Sequence, residues 1–425
     1  MTLHDDLLDP LLDARHKGFP PHSPPLRRSQ VGAQGWQVLA GDLPLPLAVI
    51  RRDALEHNLQ WMQRFASDAG LVLAPHGKTT MSPQLFRRQL EAGAWGLTFA
   101  TVGQLGIGVA AGARRCIVAN QVFAPVDLLG IAALKRQHAD LKVIFLLDSL
   151  AQLALIEATH PEAPFDVLIE IGVPGGRTGC RSHEDALALA ARAHASRAVR
   201  VCGVECYEGL GATGQDAADR ASAAALMQRV QAVAEALDQQ GWFEDAEVVL
   251  SAGGSALFDL VLAGLQARLR RPVRGVLRSG CYVTHDHGFY HRLVSLANAR
   301  LGCGHGLQAA LEVWAQVQSL PEPGLAILAV GKRDLSHDLG LPVPLAHVPR
   351  GERQPQAAPA AWRISGLNDQ HANLCWDDGE GTAPLQVGDR IALGISHPCT
   401  TFDKWRWLPV VDEDYRVVDA LVTWF

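Results

Sequence analysis

Three features of this sequence have residue types and spacings that could do chemistry. The first is a lysine at the end of an apolar run: Leu71 to Pro75 reads as a short buried strand, and Pro75-His76-Gly77-Lys78-Thr79-Thr80 follows it. An amine just past a strand end is partly desolvated, which suits condensation with a carbonyl compound. Only six lysines are present, and Lys17, Lys135, Lys142, Lys332 and Lys404 lie in helices, loops or tails. The second feature is His397-Pro398-Cys399, after the run Ile391 to Gly394. In extended backbone, residues two apart point the same way, so imidazole and thiolate converge, and nitrogen plus sulfur suits a borderline-soft ion such as zinc. A buried cysteine beside a hydrogen-bonded histidine has the same pattern. The third is a pair of small turns after strand-like runs, Ser251-Ala252-Gly253-Gly254-Ser255 entering a helix and Ser279-Gly280-Cys281-Tyr282. Backbone can approach an anion closely there, and a helix start offers free amides, so Gly253, Gly254, Ser255, Gly280 and Tyr282 are phosphate candidates. Ordinary loop chemistry is the competing reading.

Two further motifs carry less. Gly209-Leu210-Gly211-Ala212-Thr213-Gly214 is a literal GxGxxG between a strand and a helix. The next strand-like run ends in Ser251-Ala252-Gly253, without the acid that would hold a ribose, so a dinucleotide fold is disfavoured. His285, His287 and His291 form a histidine-rich loop that could bind metal, but no carboxylate completes a ligand motif there, and substrate contacts or a plain polar loop fit better.

The elements that must position these residues alternate. A helix is predicted from Asp53 to Ala69, with Asp53 as its N-cap. Strand-like runs lie near Leu71 to Pro75, Gly96 to Ala100, Cys116 to Ala119, Val143 to Leu147, Val167 to Ile171, Val199 to Val204, Glu247 to Leu250 and Val276 to Arg278, with helical stretches between. Several are continuously apolar, as in strands covered on both faces. The fold class predicted is α/β, a (β/α)8 TIM-type barrel with a C-terminal mostly β domain; a doubly wound open sheet is the alternative. In a barrel the strand ends carry the site, and Arg177 in Gly175-Gly176-Arg177-Thr178-Gly179 and Tyr207 in Tyr207-Glu208-Gly209 follow the fifth and sixth runs. Past Cys303 the rhythm breaks into short runs with turns, at Gly324 to Val330, Ala361 to Ile364, Asp389 to Gly394 and Val417 to Phe425. A proline-rich stretch, Phe19 to Pro25, marks an extended N-terminal arm. The expected division is 1–44 as an arm joining the β domain, 45–303 as barrel and 304–425 as β domain.

Composition removes other classes. The 425 residues carry a net charge of -6, 48% hydrophobic and 19% charged side chains, which allows a large core and argues against disorder and polyanion binding. No basic track interleaved with aromatics points to nucleic acid, and no apolar stretch reaches the roughly 18 residues of a membrane span. Eight cysteines without a CxxC pair argue against a disulfide framework or zinc ribbon, and with the acidic start Met1 to Asp6 they predict a cytoplasmic protein.

Taken together, a lysine after the first strand, an arginine after the fifth, glycine turns after the seventh and eighth, and a β tail with His-x-Cys resemble the fold-type III pyridoxal-phosphate (PLP) enzymes. More closely they resemble the D-serine dehydratase and D-threonine aldolase family, which has an alanine racemase-like N-terminal barrel. The likeness runs from about Leu45 to Phe425. It implies that Lys78, with His76, carries PLP, that Arg177 and Tyr207 lie near the cofactor, and that His397 and Cys399 hold a divalent metal, zinc before manganese or magnesium. It also implies that Lys78 acts as base on one face of a D substrate while the metal takes its β-hydroxyl. The family's dehydratases carry Cys where Cys399 stands and its aldolases Asp, which favours dehydration of a D-3-hydroxy amino acid (D-serine, D-threonine or D-threo-3-hydroxyaspartate) to a 2-oxo acid and ammonia. His371 matches a family histidine loosely, in Asp369-Gln370-His371 where aldolases show two glutamates before it, and is carried as a catalytic candidate. A homodimer is implied as well. Retro-aldol cleavage, racemisation and non-catalytic PLP binding are the alternatives; the long β tail counts against the last.

Overall fold

A computed structural model describes residues 3–377 and 385–425. Its centre is a parallel barrel of eight strands: Val72–Leu73, Leu97–Phe99, Arg115–Gln121, Lys142–Leu147, Phe165–Ile171, Val199–Cys206, Val248–Ala252 and Val273–Leu277. From the second onward each pairs with the next, the eighth pairs with the first through Val276 and Val72, and only an isolated bridge between His76 and Thr98 joins the first strand's end to the second. All eight predicted runs are strands of this barrel.

Alternation explains the burial on both faces. Ile144 and Leu146 point inward with Ile117, Leu168, Val249 and Val276 to plug the barrel, while Val143, Phe145 and Leu147 point outward against the helices. Burying each such side chain contributes roughly 1.5–3 kcal/mol. The sixth strand breaks the alternation: Val167 pairs with Val201 but Leu168 with Gly203, a bulge that turns Glu205 into the barrel mouth in place of Val204.

The helix expected over Asp53 to Ala69 is Arg52–Asp68, and its N-cap is Arg51 rather than Asp53. Asp53 lies in the first turn, beside the Arg52 side chain at 2.9 Å. The run after the seventh strand does not enter a helix; residues 253–262 form bends and turns before the 3-10 turn Ala263–Leu265.

Behind the barrel, Leu311–Glu322 is the spine of an antiparallel sheet, flanked by Arg390–Gly394 and Leu47–Arg51, and it continues through Leu325–Leu328 to Ala372–Cys375 and Arg363–Leu367. Leu47–Arg51 also pairs in parallel with Trp407–Val411. The arm packs on the same sheet: Val38 N donates to Tyr415 O, Arg28 Nη1 to Asp419 at 2.6 Å, and the buried Phe19 ring meets Trp36 and Trp407 edge-on. The tail docks on the barrel mouth where His287 N donates to Ile395 O at 3.0 Å.

Candidate active site

The C-terminal strand ends and the loop after Gly394 enclose a cavity of about 250 Å³. Lys78 enters it from the 3-10 turn Gly77–Thr79. The turn is held by Thr98 N donating to Pro75 O and Thr79 N to His76 O. A Cβ on Gly77 would fall 2.6 Å from the Phe99 ring and 2.9 Å from Phe86, so only glycine lets the turn sit on those rings between His76 and Lys78. His76 Nδ1 is buried without a partner. Burial, then the charges of Lys78, Arg278 and Arg177, hold His76 well below the ordinary histidine range. Three cations thus converge on one neutral imidazole, a field that suits an anion. The Arg177 guanidinium lies over the Tyr207 ring at 5.0 Å.

Arg278 and Glu205 lie deeper in the cavity. Arg278 continues the inward positions of the eighth strand, two past Val276, and donates to Ser251 Oγ at 2.6 Å and Cys206 O at 3.0 Å. Its Nη2 lies 2.5 Å from Glu205 Oε2, yet no donor is aligned on either Glu205 oxygen. Burial therefore outweighs Arg278 and pushes Glu205 up to about 7 from an ordinary 4.5. The stability consequence has a definite sign. An unfolded chain releases this proton near 4.5 and the folded one near 7, so between those values the native state binds more protons and loses stability as pH rises. Glu205→Gln should flatten that fall, by on the order of 3 kcal/mol between pH 4.5 and 8. Thermal unfolding of both chains across this range is the measurement, and parallel curves would refute the shift.

The glycine turns are built differently from expectation. Gly253 N and Gly254 N, read as phosphate donors, give their hydrogens to the buried Glu208 carboxylate at 3.0 and 2.6 Å. A carboxylate already occupies those amides, so Gly253 and Gly254 line the cavity without being available to a second anion. Among the described residues the amides of Ser255 and Gly280 face no acceptor, and Ser255 Oγ accepts from Cys281 N at 3.1 Å. A Cβ on Gly280 would come within 2.6 Å of both His76 O and Thr79 Oγ1, which keeps this corner open only for glycine.

The tail supplies His397 and Cys399 to the same cavity. Their convergence does not come from extended backbone: Pro398 is helical (φ -59, ψ -45) and caps the short helix Cys399–Phe402. His397 Nδ1 lies 2.6 Å from Asp338 Oδ2, which orients the ring. Burial lowers His397, but its hydrogen bond and charge interaction with Cys399, and then Asp338, prevail and push it up to about 9. Cys399 lies 3.5 Å from Cys281 Sγ and 3.5 Å from Thr79 Oγ1, and the Cys281 thiol, ahead of His397, holds it well below the ordinary thiol range. Among the described residues no three His, Cys, Asp or Glu groups converge as a metal cage, so a metal here would have two protein donors and open positions.

Two expected site residues lie elsewhere. Tyr282 is buried, its hydroxyl accepting from Gln89 of helix Pro83–Glu91 at 3.3 Å, because the turn Cys281–Val283 points Cys281 into the cavity and Tyr282 away from it. His371 is exposed on the tight turn joining Arg363–Leu367 to Ala372–Cys375 and does not line the cavity. The histidine loop is packing and docking: burial takes His285 down to about 3 and His287 to about 4, and Asp286 caps helix Phe289–Leu301 by accepting from Gly288, Tyr290 and His291 N. Residues not singled out beforehand include Glu205, Glu208, Arg278 and Tyr290, whose ring lies 6.1 Å from His397.

A closed parallel barrel with a lysine at its mouth and an antiparallel sheet domain behind it defines the alanine racemase-like class. Residues 50–283 match the family model for the alanine racemase N-terminal domain and residues 310–411 that for a serine dehydratase domain, and the chain belongs to the family that carries them. It is 29% identical to a D-threo-3-hydroxyaspartate dehydratase of Delftia sp. over 372 residues, 84% of this chain and 92% of that one. It is 27% identical to a D-threonine aldolase of Arthrobacter sp. over 368 residues, 86% and 88% of the two chains. The solved Delftia enzyme superposes with a TM-score of 0.72 at 25% identity, covering 91% of this chain and 99% of that one. A variant of a D-threo-3-hydroxyaspartate dehydratase has also been solved in a metal-free form.

Proposed function

We propose that this chain is a PLP- and divalent-metal-dependent dehydratase of a D-3-hydroxy amino acid, releasing a 2-oxo acid and ammonia. The observation that carries it is the meeting, in one cavity, of Lys78 from the barrel and the His397–Cys399 pair from the tail. The site's donors fit both groups. Lys78 would hold PLP, His76, Arg177 and Tyr207 would flank it, and the amides of Ser255 and Gly280 would take its phosphate, with Gly253 and Gly254 braced from behind by Glu208. When bound, PLP supplies an electron sink for the charge left at the substrate Cα. Lys78 Nζ removes the Cα proton from one face, which selects D substrates. His397 Nε2 and Cys399 Sγ would hold the metal, a Lewis acid for the β-hydroxyl, and a nitrogen–sulfur pair favours zinc. Arg278 and Glu205 keep the floor of the cavity polar and fixed.

The barrel would carry the cofactor and 304–425 the metal, in a cytoplasmic homodimer. Retro-aldol cleavage is the second reading, favoured by the likeness to the Arthrobacter aldolase. One assay separates the two: D-serine, D-threonine and D-threo-3-hydroxyaspartate are incubated with enzyme before and after chelation, and ammonia, 2-oxo acid and aldehyde are measured together. Ammonia with 2-oxo acid, lost on chelation, is the expected result; aldehyde without ammonia would replace the proposal with the aldolase. Gly280→Ala should weaken PLP binding by about 5- to 150-fold, the effect of roughly 1–3 kcal/mol of overpacking. Titration of PLP into the cofactor-free chain reads this, and unchanged affinity would remove Gly280 from the phosphate corner.

A further inference from the structure

Cys281 Sγ and Cys399 Sγ lie 3.5 Å apart in the cavity wall, and all eight cysteines are free thiols. They reach each other from different parts of the fold: Cys281 opens the 3-10 turn after the eighth barrel strand, and Cys399 opens the four-residue helix of the tail. Among the described residues no other two cysteines meet in this way. Cys206 touches Met227 at 3.7 Å, Cys375 touches Ser365 at 3.1 Å, Cys180 and Cys202 face backbone carbonyls, and Cys116 is buried. Both sulfurs line a cavity open to small molecules, and a disulfide needs them to close to about 2.05 Å, roughly 1.5 Å of travel shared between two short turns.

We infer that Cys281 and Cys399 form a site of reversible oxidation, in which a hydroperoxide converts the two thiols to a disulfide that bridges barrel and tail. Cys399 sulfur attacks one peroxide oxygen, the O–O bond breaks, and water leaves after protonation, giving Cys399 sulfenic acid. Cys281 sulfur then attacks that sulfur and expels a second water. Two thiols and one hydrogen peroxide become one disulfide and two waters. A thiol reductant reverses the change by exchange at the same sulfurs. The consequence for catalysis rests on the function proposed above: Cys399 in a disulfide has no thiolate for a metal, so oxidation would switch the site off.

The test reads the bond itself, independently of turnover. Metal-free and zinc-loaded protein are treated with hydrogen peroxide, alkylated, digested without reduction and analysed by mass spectrometry. The expected result is a cross-linked peptide pair containing Cys281 and Cys399, two hydrogens lighter than the sum, formed at least several-fold faster in the metal-free protein and lost on treatment with dithiothreitol. In Cys281→Ser the cross-link should vanish and a dimedone adduct should appear on Cys399. Peroxide-treated wild-type protein in which both cysteines are fully alkylated, or in which only Cys303 and Cys375 have reacted, would overturn the inference. If the cross-link forms but no D-hydroxy amino acid is turned over by the reduced protein, the redox site stands and the functional reading falls.

Discussion

Lys78→Ala is expected to lower turnover of the D-3-hydroxy amino acid by about 10²–10⁴-fold and to abolish covalent retention of PLP. The two effects share one cause, because the same Nζ is proposed to hold the cofactor and to take the substrate's Cα proton. The structure isolates this lysine from its five counterparts. Lys17, Lys142 and Lys404 are paired with Asp334, Asp245 and Asp403. Lys78 makes no ion pair among the described residues and alone among the lysines lines the active-site cavity. Its neighbours keep the amine from being neutralised by a carboxylate: Glu205 is turned toward Arg278, and Glu208 is committed to two backbone amides. The check is borohydride reduction of the PLP-loaded enzyme followed by peptide mass, which should find the cofactor on the peptide containing Lys78 in wild type and nowhere in the variant. Lys78→Arg keeps the positive charge without a condensing amine and should behave like the alanine variant. Cofactor reduced onto Lys142 or Lys332, or more than a tenth of wild-type turnover in either variant, would rule out the assignment.

The barrel was legible because its signals are local. Runs such as Val143 to Leu147 are apolar throughout, and the glycines and prolines near the strand ends mark loops. Arg278 was equally readable in principle, two residues past an inward-facing plug residue, Val276. Glu205 was not, since the bulge at Cys202–Gly203 reverses the faces of the strand, and counting in twos from Cys202 points to Val204 instead. The tail was harder for a related reason. Pro344 and Pro409 sit inside real strands and break the pattern that announces one, and Leu311–Glu322 is covered on both sides only over its first half. Glycine turns pointed to the cavity but not to which amides are free, because Glu208, a carboxylate placed by the fold, takes those of Gly253 and Gly254. His-x-Cys was found by spacing, yet the two side chains meet through a helical Pro398.

Cys399→Ala should cost metal affinity at least about 100-fold, since losing a ligand outright exceeds the 10–100-fold typical of losing a ligand's supporting partner. Turnover should fall with it and should not be restored by added zinc at concentrations that saturate the wild type. His397 stays oriented by Asp338, but one imidazole among waters does not hold an ion against dilution, and Thr79 Oγ1, 3.5 Å from the lost sulfur, is a weak substitute. Cys399→Asp separates a ligand role from a packing role. A carboxylate restores an anionic donor, so metal dependence should return, with preference moving from zinc toward manganese or magnesium as the donor hardens. Metal content by plasma mass spectrometry after dialysis, with product analysis for ammonia and aldehyde in each variant, reads both effects. Full metal occupancy in Cys399→Ala would sink the ligand assignment. If Cys399→Asp regains its metal and releases aldehyde in place of ammonia, the donor at this position also directs whether the carbon–oxygen or the carbon–carbon bond breaks. If it regains its metal and still releases ammonia, that choice lies in the walls around the substrate, where Tyr290, Arg177 and Tyr207 face the same cavity.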